Sequence, residues 1–288
     1  MTKINHEFQP SKKNLVTIGE LLDSAQNKLR PISDSPKLES QILMAVVTNR
    51  DREWLIAHKE NRLDKDINDR FITLLERRLL GEPLAYIRGS QGFWQHTFIV
   101  GPNVLIPRPE TELLVEILLE RLEPNTQHVL DLGTGCGAIA VSLAAERNAW
   151  FITGIDSNEA AINLATRNSE GLNNIELRVG NWCNGISTSS IDAIVSNPPY
   201  VRENDPHLQH LSFEPIDALT SGIDGLSAIR SIVSDACRCL KPTGLLLIEH
   251  GYDQQKDVVN LFQISGFLNI ERFTDLNNIP RAVLGYRP

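Results

Sequence analysis

Two short stretches of this 288-residue chain combine residue types that could do chemistry. The first is Asp131-Leu132-Gly133-Thr134-Gly135-Cys136-Gly137, which follows an apolar run and precedes Ile139, Ala140, Leu143 and Ala144 at helical spacing. Glycines at a strand-to-helix turn let the backbone approach a ligand closely, where doubly wound sheets bind nucleotides. Alone, this turn admits a ligand-free turn, a dinucleotide site, or a site for another nucleoside. The next strand-like run ends at Asp156, nineteen positions after Gly137, where an acid can accept hydrogen bonds from ribose hydroxyls. The dinucleotide fingerprint is G-x-G-x-x-G over a pyrophosphate, whereas these glycines alternate and an acid, Asp131, precedes them. A carboxylate there suits a cationic ligand. S-adenosylmethionine fits, with an adenosine, a sulfonium and an ammonium group but no phosphate.

The second stretch, Ser196-Asn197-Pro198-Pro199-Tyr200, follows the strand-like run 191–195 and is the most specific feature of the sequence. Two prolines remove two backbone donors. The loop then presents the Asn197 side-chain oxygen and the Pro198 carbonyl as acceptors, with a tyrosine face alongside. A planar group carrying an NH2 matches this, either a carboxamide or the exocyclic amine of adenine. A rigid turn after a strand is the reading without a ligand.

Both motifs need elements to hold them. Apolar runs at 128–131, 150–156, 175–179, 191–196 and 244–249 alternate with helical segments, which predicts a mostly parallel sheet with helices on both faces. Runs at 267–273 and 282–286 suit an antiparallel pair at its edge. Ahead of this, Thr17 and Glu20 form a capping-box pattern before Ile18, Leu21, Leu22, Ala25 and Leu29. Ser35 reads as a cap with Pro36 at the first helical position, and Leu38, Ile42, Leu43, Val46 and Val47 lie on one side of that helix. A further helix carries Ile67, Phe71, Leu74, Leu75 and Leu79 and stops at Gly81 and Pro83. Residues 86–106 change to aromatic and β-branched segments, a hairpin in character, and Pro107 and Pro109 end it before a helix whose first turn holds Glu110 and Glu112. The division expected is a helical domain over 1–85, a β-hairpin linker over 86–108 and a catalytic domain over 109–288.

Charge narrows the partners. Fifteen of the 28 Lys and Arg precede residue 89, against thirteen of the 36 Asp and Glu, so the first part is near neutral and the rest strongly acidic. Nucleic-acid affinity rests on Lys and Arg displacing counterions, so a protein or small-molecule substrate is favoured over direct nucleic-acid binding. Residues 1–11 have no signal-like apolar core and no run approaches a membrane span, which predicts a cytoplasmic protein without membrane attachment. Cys136, Cys183, Cys237 and Cys239 have neither disulfide-rich nor zinc-site spacing, and read as reduced structural thiols with no metal site.

The chain resembles the release factor glutamine methyltransferases of HemK type over nearly its whole length. The likeness is carried by Gly81-Glu82-Pro83-Leu84-Ala85-Tyr86-Ile87 with Gly89, Ile106-Pro107-Arg108-Pro109-Glu110-Thr111-Glu112, the glycine turn, Asn197 to Tyr200, and Phe213-Glu214-Pro215 followed by Ala218-Leu219. Asn-Pro-Pro-Tyr alone is shared with adenine methyltransferases. The resemblance implies an α/β class I S-adenosylmethionine-dependent methyltransferase domain, Rossmann-like, behind the small helical domain and hairpin. It implies cofactor contacts from Gly133, Thr134, Gly135, Cys136, Gly137, Asp156, Trp182 and Asn197, with Trp182 packed on adenine. Asn197, Pro198, Pro199 and Tyr200 would hold the substrate glutamine of the Gly-Gly-Gln loop of a peptide chain release factor, with Asn197, Pro198 and Tyr200 serving catalysis. The family often has an aspartate before the tryptophan, where this chain has Asn181, so an acidic contact there is in doubt. The rivals are an adenine-N6 nucleic-acid methyltransferase, a nicotinamide-dependent oxidoreductase and a non-catalytic adaptor with the same fold.

Overall fold

The computed structural model describes residues 16–288; residues 1–11, read above for a signal core, lie outside that range. The chain divides into two compact units, Met1–Arg88 and Gly89–Pro288. Among the described residues no helix is long and apolar enough to cross a membrane.

In the first unit, α1 (Ile18–Leu29) begins with both halves of a capping box, the Glu20 N–H donating to Thr17 Oγ1 at 3.2 Å and the Thr17 N–H to Glu20 Oε2 at 2.8 Å. The second helix, α2 (Pro36–Thr48), has Ser35 at its cap position, but the serine side chain makes no capping bond; Pro36 supplies the helical start alone. Its buried face is Ser40, Gln41, Leu43, Met44 and Val47, while Leu38 is exposed. The stripe expected from Leu38 and Ile42 is rotated because α2 is the central helix, packed by every other helix of the unit and therefore apolar on more than one side. Around it lie α3 (Arg52–Ala57), capped by Asp51, then α4 (Lys65–Leu79) and α5 (Leu84–Arg88). Ile18, Leu29, Leu43, Met44, Leu55, Phe71 and Ile87 share one core, and Arg78 on α4 bridges Glu39 on α2 at 2.8 Å.

The second unit opens with a hairpin, β1 (Ser90–Phe93) and β2 (His96–Ile99), shorter than the 86–106 span expected. Tyr86 and Ile87 belong to the last helical turn instead, because their N–H groups donate to the Pro83 carbonyl and Ile87 packs into the helical core. Val104 turns back on Gly101 and forms no strand.

After α6 (Glu112–Arg121) come β3 (His128–Leu132), α7 (Ala138–Glu146), β4 (Phe151–Asp156), α8 (Glu159–Asn168), β5 (Ile175–Val179), β6 (Ile191–Ser196), α9 (Ser227–Cys239), β7 (Leu240–Glu249), α10 (Gln255–Ile264), β8 (Leu268–Thr274) and β9 (Pro280–Tyr286). The sheet runs β5-β4-β3-β6-β7-β9-β8, parallel through β7, with β9 antiparallel to both neighbours. Alternation along β3 serves two layers: Leu130 and Leu132 join the core under α9 and α10, whereas Asp131 faces α7. The chain order reverses between β3 and β6. In open α/β sheets ligands bind outside the carboxyl ends of strands at such a switch point.

Candidate active site

Leu132 and Ser196 are register partners on β3 and β6, so the next residues, Gly133 and Asn197, emerge side by side. The glycine turn then winds through positive φ at Gly133, Gly135 and Gly137 (73°, 56° and 85°), which L side chains rarely adopt. A Cβ on Gly133 would lie 3.6 Å from Trp182 Cζ3 and 4.0 Å from the Asn197 carbonyl oxygen, so the turn, the indole and the Asn-Pro-Pro-Tyr loop meet at one place.

They enclose a cavity of about 410 Å³. Its walls include Asn103 to Leu105, Gly133, Gly135, Asp156, Asn158, Asn181, Trp182, Asn197, Pro199, Pro215 and Asp217. None of the lining residues is basic, while Asp156 and Asp217 are acidic. Such a wall favours a cation or a polyhydroxyl ligand over a diphosphate. Asp156, at the end of β4, accepts the Gly135 N–H on Oδ2 and the Asn158 N–H on Oδ1, each at 2.9 Å, which fixes the carboxylate in the cavity wall with lone pairs to spare. Trp182 is half-buried with left-handed backbone (φ 45°), one side of its indole against the sheet core and the other on the cavity.

The predicted site residues divide into three groups. Gly133, Gly135, Asp156, Trp182, Asn197 and Pro199 line the cavity. Thr134 and Cys136 line a smaller cleft beside it with Pro107, Arg108 and Thr111. Gly137, Pro198 and Tyr200 line neither: Gly137 caps α7 against Ala165, Pro198 is buried, and Tyr200 packs on the core with its hydroxyl donating to Glu249 Oε1 at 3.2 Å. Burial raises the Tyr200 pKa, so the phenol stays protonated. The Cys136 thiol is likewise pushed up to about 12 by burial, which rules out thiolate chemistry at neutral pH.

Asp131 differs from its expected role. Its carboxylate is buried and accepts the Thr134 hydroxyl at 2.6 Å and the Ala140 N–H at 3.2 Å, tying the glycine turn to α7 instead of facing a ligand. The reason is strand alternation, which points residue 131 away from the carboxyl-end cavity.

Three polar residues with no role assigned from sequence complete the site. Thr111 Oγ1 accepts Asn197 Nδ2 at 2.9 Å. Glu249, at the end of β7, is buried beneath Thr111 and Tyr200, and burial pushes its pKa up to about 7 against the opposing pull of those two hydroxyls. Glu214 is also buried, and accepts the Ile106 N–H at 3.0 Å and Arg108 Nη2 at 2.5 Å, joining the segment 106–112 to the segment 213–219. A carboxylate closing an apolar run, as Glu249 closes Leu245 to Ile248, was the available signal for the second of these.

Comparison with known proteins agrees with this geometry. Residues 20–89 match the family described as PrmC N-terminal domain, and residues 109–213 the methyltransferase small domain. The release factor glutamine methyltransferase of Coxiella burnetii is 38% identical over 276 residues, covering 95% of this chain and all of its own length. That of Pseudomonas aeruginosa is 43% identical over 275 residues, covering 94% and 99%. Among solved structures, a Thermus thermophilus 16S rRNA N2 G1207 methyltransferase in complex with AdoMet and guanosine superposes with a TM-score of 0.52 at 19% identity, over 69% of this chain and 50% of that one, a likeness of fold alone. Similarity of this degree along nearly the full length of both chains places the protein in the release factor glutamine methyltransferase family.

Proposed function

We propose that this enzyme transfers a methyl group from S-adenosylmethionine to the side-chain amide nitrogen of the glutamine in the Gly-Gly-Gln loop of peptide chain release factors. The observation that carries the reading is the meeting of Asn197 with Gly133 at the sheet's switch point, on a cavity with no basic residue in its lining. The cavity suits the donor: Asp156 offers acceptors to ribose hydroxyls, Trp182 a flat face to adenine, and the absence of basic side chains leaves the sulfonium unopposed.

S-adenosylmethionine would supply an electrophilic methyl, the C–N bond forming as the C–S bond breaks, with S-adenosylhomocysteine as the leaving group and one amide proton lost to water. The chain must do the rest. An amide nitrogen is a weak nucleophile because its lone pair is delocalised into the carbonyl. Asn197 Oδ1, on the cavity wall, accepts one amide hydrogen, and the Pro198 carbonyl takes the other once substrate reaches past the buried proline ring, which aims the lone pair and stabilises positive charge growing on nitrogen. Pro199 walls the cavity beside them and Tyr200 stiffens the loop from behind through Glu249.

Mass spectrometry of a purified release factor incubated with this protein and the donor tests the proposal. One added methyl on the Gly-Gly-Gln glutamine is expected. Methylation of adenine in nucleic acid, with the release factor untouched, overturns it. The helical unit, near neutral where the second unit is acidic, is proposed to recognise the protein substrate, since the whole cavity is lined from the second unit. A chain beginning at Gly89 is then expected to bind the donor by calorimetry and to lose transfer to intact release factor. Undiminished transfer removes the recognition role.

A further inference from the structure

We propose that Thr111 and Glu249 are positioning residues that set which end of the Asn197 amide faces the substrate; the inference rests on the glutamine reading above. An asparagine amide has a donor end and an acceptor end of nearly the same shape, and only the acceptor end can receive a substrate N–H. In the structure the donor end is taken: Nδ2 donates to Thr111 Oγ1 at 2.9 Å, and Oδ1 has no protein donor among the described residues.

A threonine hydroxyl could serve either end, because it accepts and donates. What removes the choice is the next group along. Glu249 is 2% exposed, takes the Tyr200 hydroxyl on Oε1 at 3.2 Å, and keeps Oε2 without a hydrogen-bond partner. Ionised, it has only acceptor atoms: the Tyr200 hydroxyl donates to Oε1, and the neighbouring Thr111 hydroxyl, which also favours the charged form, has the unpartnered Oε2 toward which to turn its proton. Thr111 can then only accept from Asn197. The polarity runs from Asn197 through Thr111 to Glu249, and Oδ1 is left for the substrate.

A donor at position 249 reverses the chain. Protonated Glu249, or a glutamine in its place, can give a hydrogen to Thr111, which frees the Thr111 proton for Asn197 Oδ1 and turns the NH2 group toward the incoming amide. Two donors then meet. Because burial raises the Glu249 pKa to about 7, this reversal falls within the accessible pH range, with Arg281 favouring the charged form and Glu110 opposing it.

Single-turnover methyl transfer to intact release factor, paired with calorimetric titration of the donor, tests the assignment on the full chain. Thr111→Val removes the hydroxyl at nearly constant shape and is expected to slow transfer roughly 10- to 100-fold, in line with the loss of a transition-state hydrogen bond, with donor affinity within about twofold. Thr111→Ser, which restores the hydroxyl, retains most of the rate. Glu249→Gln is expected to be slow at every pH, whereas the wild-type rate falls as pH drops through about 7. Wild-type rates in both Thr111→Val and Glu249→Gln overturn the inference. So does a Thr111→Ser variant as slow as Thr111→Val, or a Glu249→Gln variant that keeps the wild-type pH profile. The last two measurements decide the matter even where Thr111→Val fails to fold. A wild-type enzyme that leaves release factor unmethylated instead brings down the glutamine reading, and this one with it.

Discussion

The Asp156 carboxylate and the Gly135 N–H, 2.9 Å apart, join the end of β4 to the middle of the glycine turn across the cavity floor. One side chain therefore shapes the turn and offers acceptors to the ligand lying on it.

Asp156→Ala is expected to remain folded, since the turn keeps its bonds from Gly133 and Thr134 to the Ile155 carbonyl. Its affinity for the donor should fall about 10- to 100-fold, the equivalent of roughly 1.5 to 3 kcal/mol in charge-assisted bonds. Calorimetric titration measures this. Unchanged affinity in a folded variant excludes Asp156 from the cofactor site.

Asn197→Ala removes the acceptor that orients the nucleophile and should cost roughly 100-fold in the transfer step. Asn197→Asp is more instructive because it also loses the donor that Thr111 now receives. A carboxylate there must compete with Glu249 for the single Thr111 proton, so the two acids oppose each other's ionisation. Transfer is expected to fall while donor binding persists, measured by single-turnover kinetics with circular dichroism as the control for folding. Wild-type transfer by Asn197→Ala would mean that the loop is only a turn.

Much of this was legible from residue order. Alternating apolar runs placed the strands because buried parallel strands have few other compositions, and the two late runs were assigned to an antiparallel edge. The cavity lining from Gly133, Asp156, Trp182 and Asn197 was legible because each lies at or shortly beyond the carboxyl end of a strand. What was not legible depends on which way a side chain turns. Asp131 looked like a ligand contact until strand alternation put it under α7. Tyr86 and Ile87 have strand-like side chains, yet Pro83 started a helical turn beneath them, a tertiary choice that local propensity does not decide. Thr111, Glu214 and Glu249 act through partners 86, 108 and 49 positions away; the apolar run ahead of Glu249 marks that residue, but no local pattern marks the pairs.

Glu214→Ala is expected to destabilise the second unit by about 2 to 4 kcal/mol, because it leaves the buried Ile106 N–H and the half-buried Arg108 guanidinium without their acceptor. Donor affinity should weaken too, since Leu105 and Pro215 flank this bond and line the cavity. Urea unfolding and calorimetry together check it; a variant with a wild-type midpoint refutes the joining role.

Glu249 also makes a prediction about stability and pH. Its folded pKa, about 7, lies above the ordinary value of 4.5, so the folded state holds the proton more tightly. Stability from this group is present below about 4.5 and is lost as pH rises through 7. Glu249→Gln has no proton to lose, so its stability relative to wild type should increase between pH 5 and pH 8, by on the order of 3 kcal/mol. Taking the difference cancels the other ionisable groups, which are common to both proteins. A difference that stays flat across this range refutes the buried, proton-holding state of Glu249.

The position of β9 has a further consequence, for the order in which the enzyme can be made. Glu249 pairs with Ala282, and β9 lies inside the sheet between β7 and β8, although it is the last strand in the chain. During synthesis β7 therefore waits with an open edge, its side-chain core already apolar and its backbone groups unpaired, until residues 280–286 have emerged. The carboxylate beneath the active loop is seated by the final strand, so a nascent chain that has already built both signature motifs still lacks a finished site.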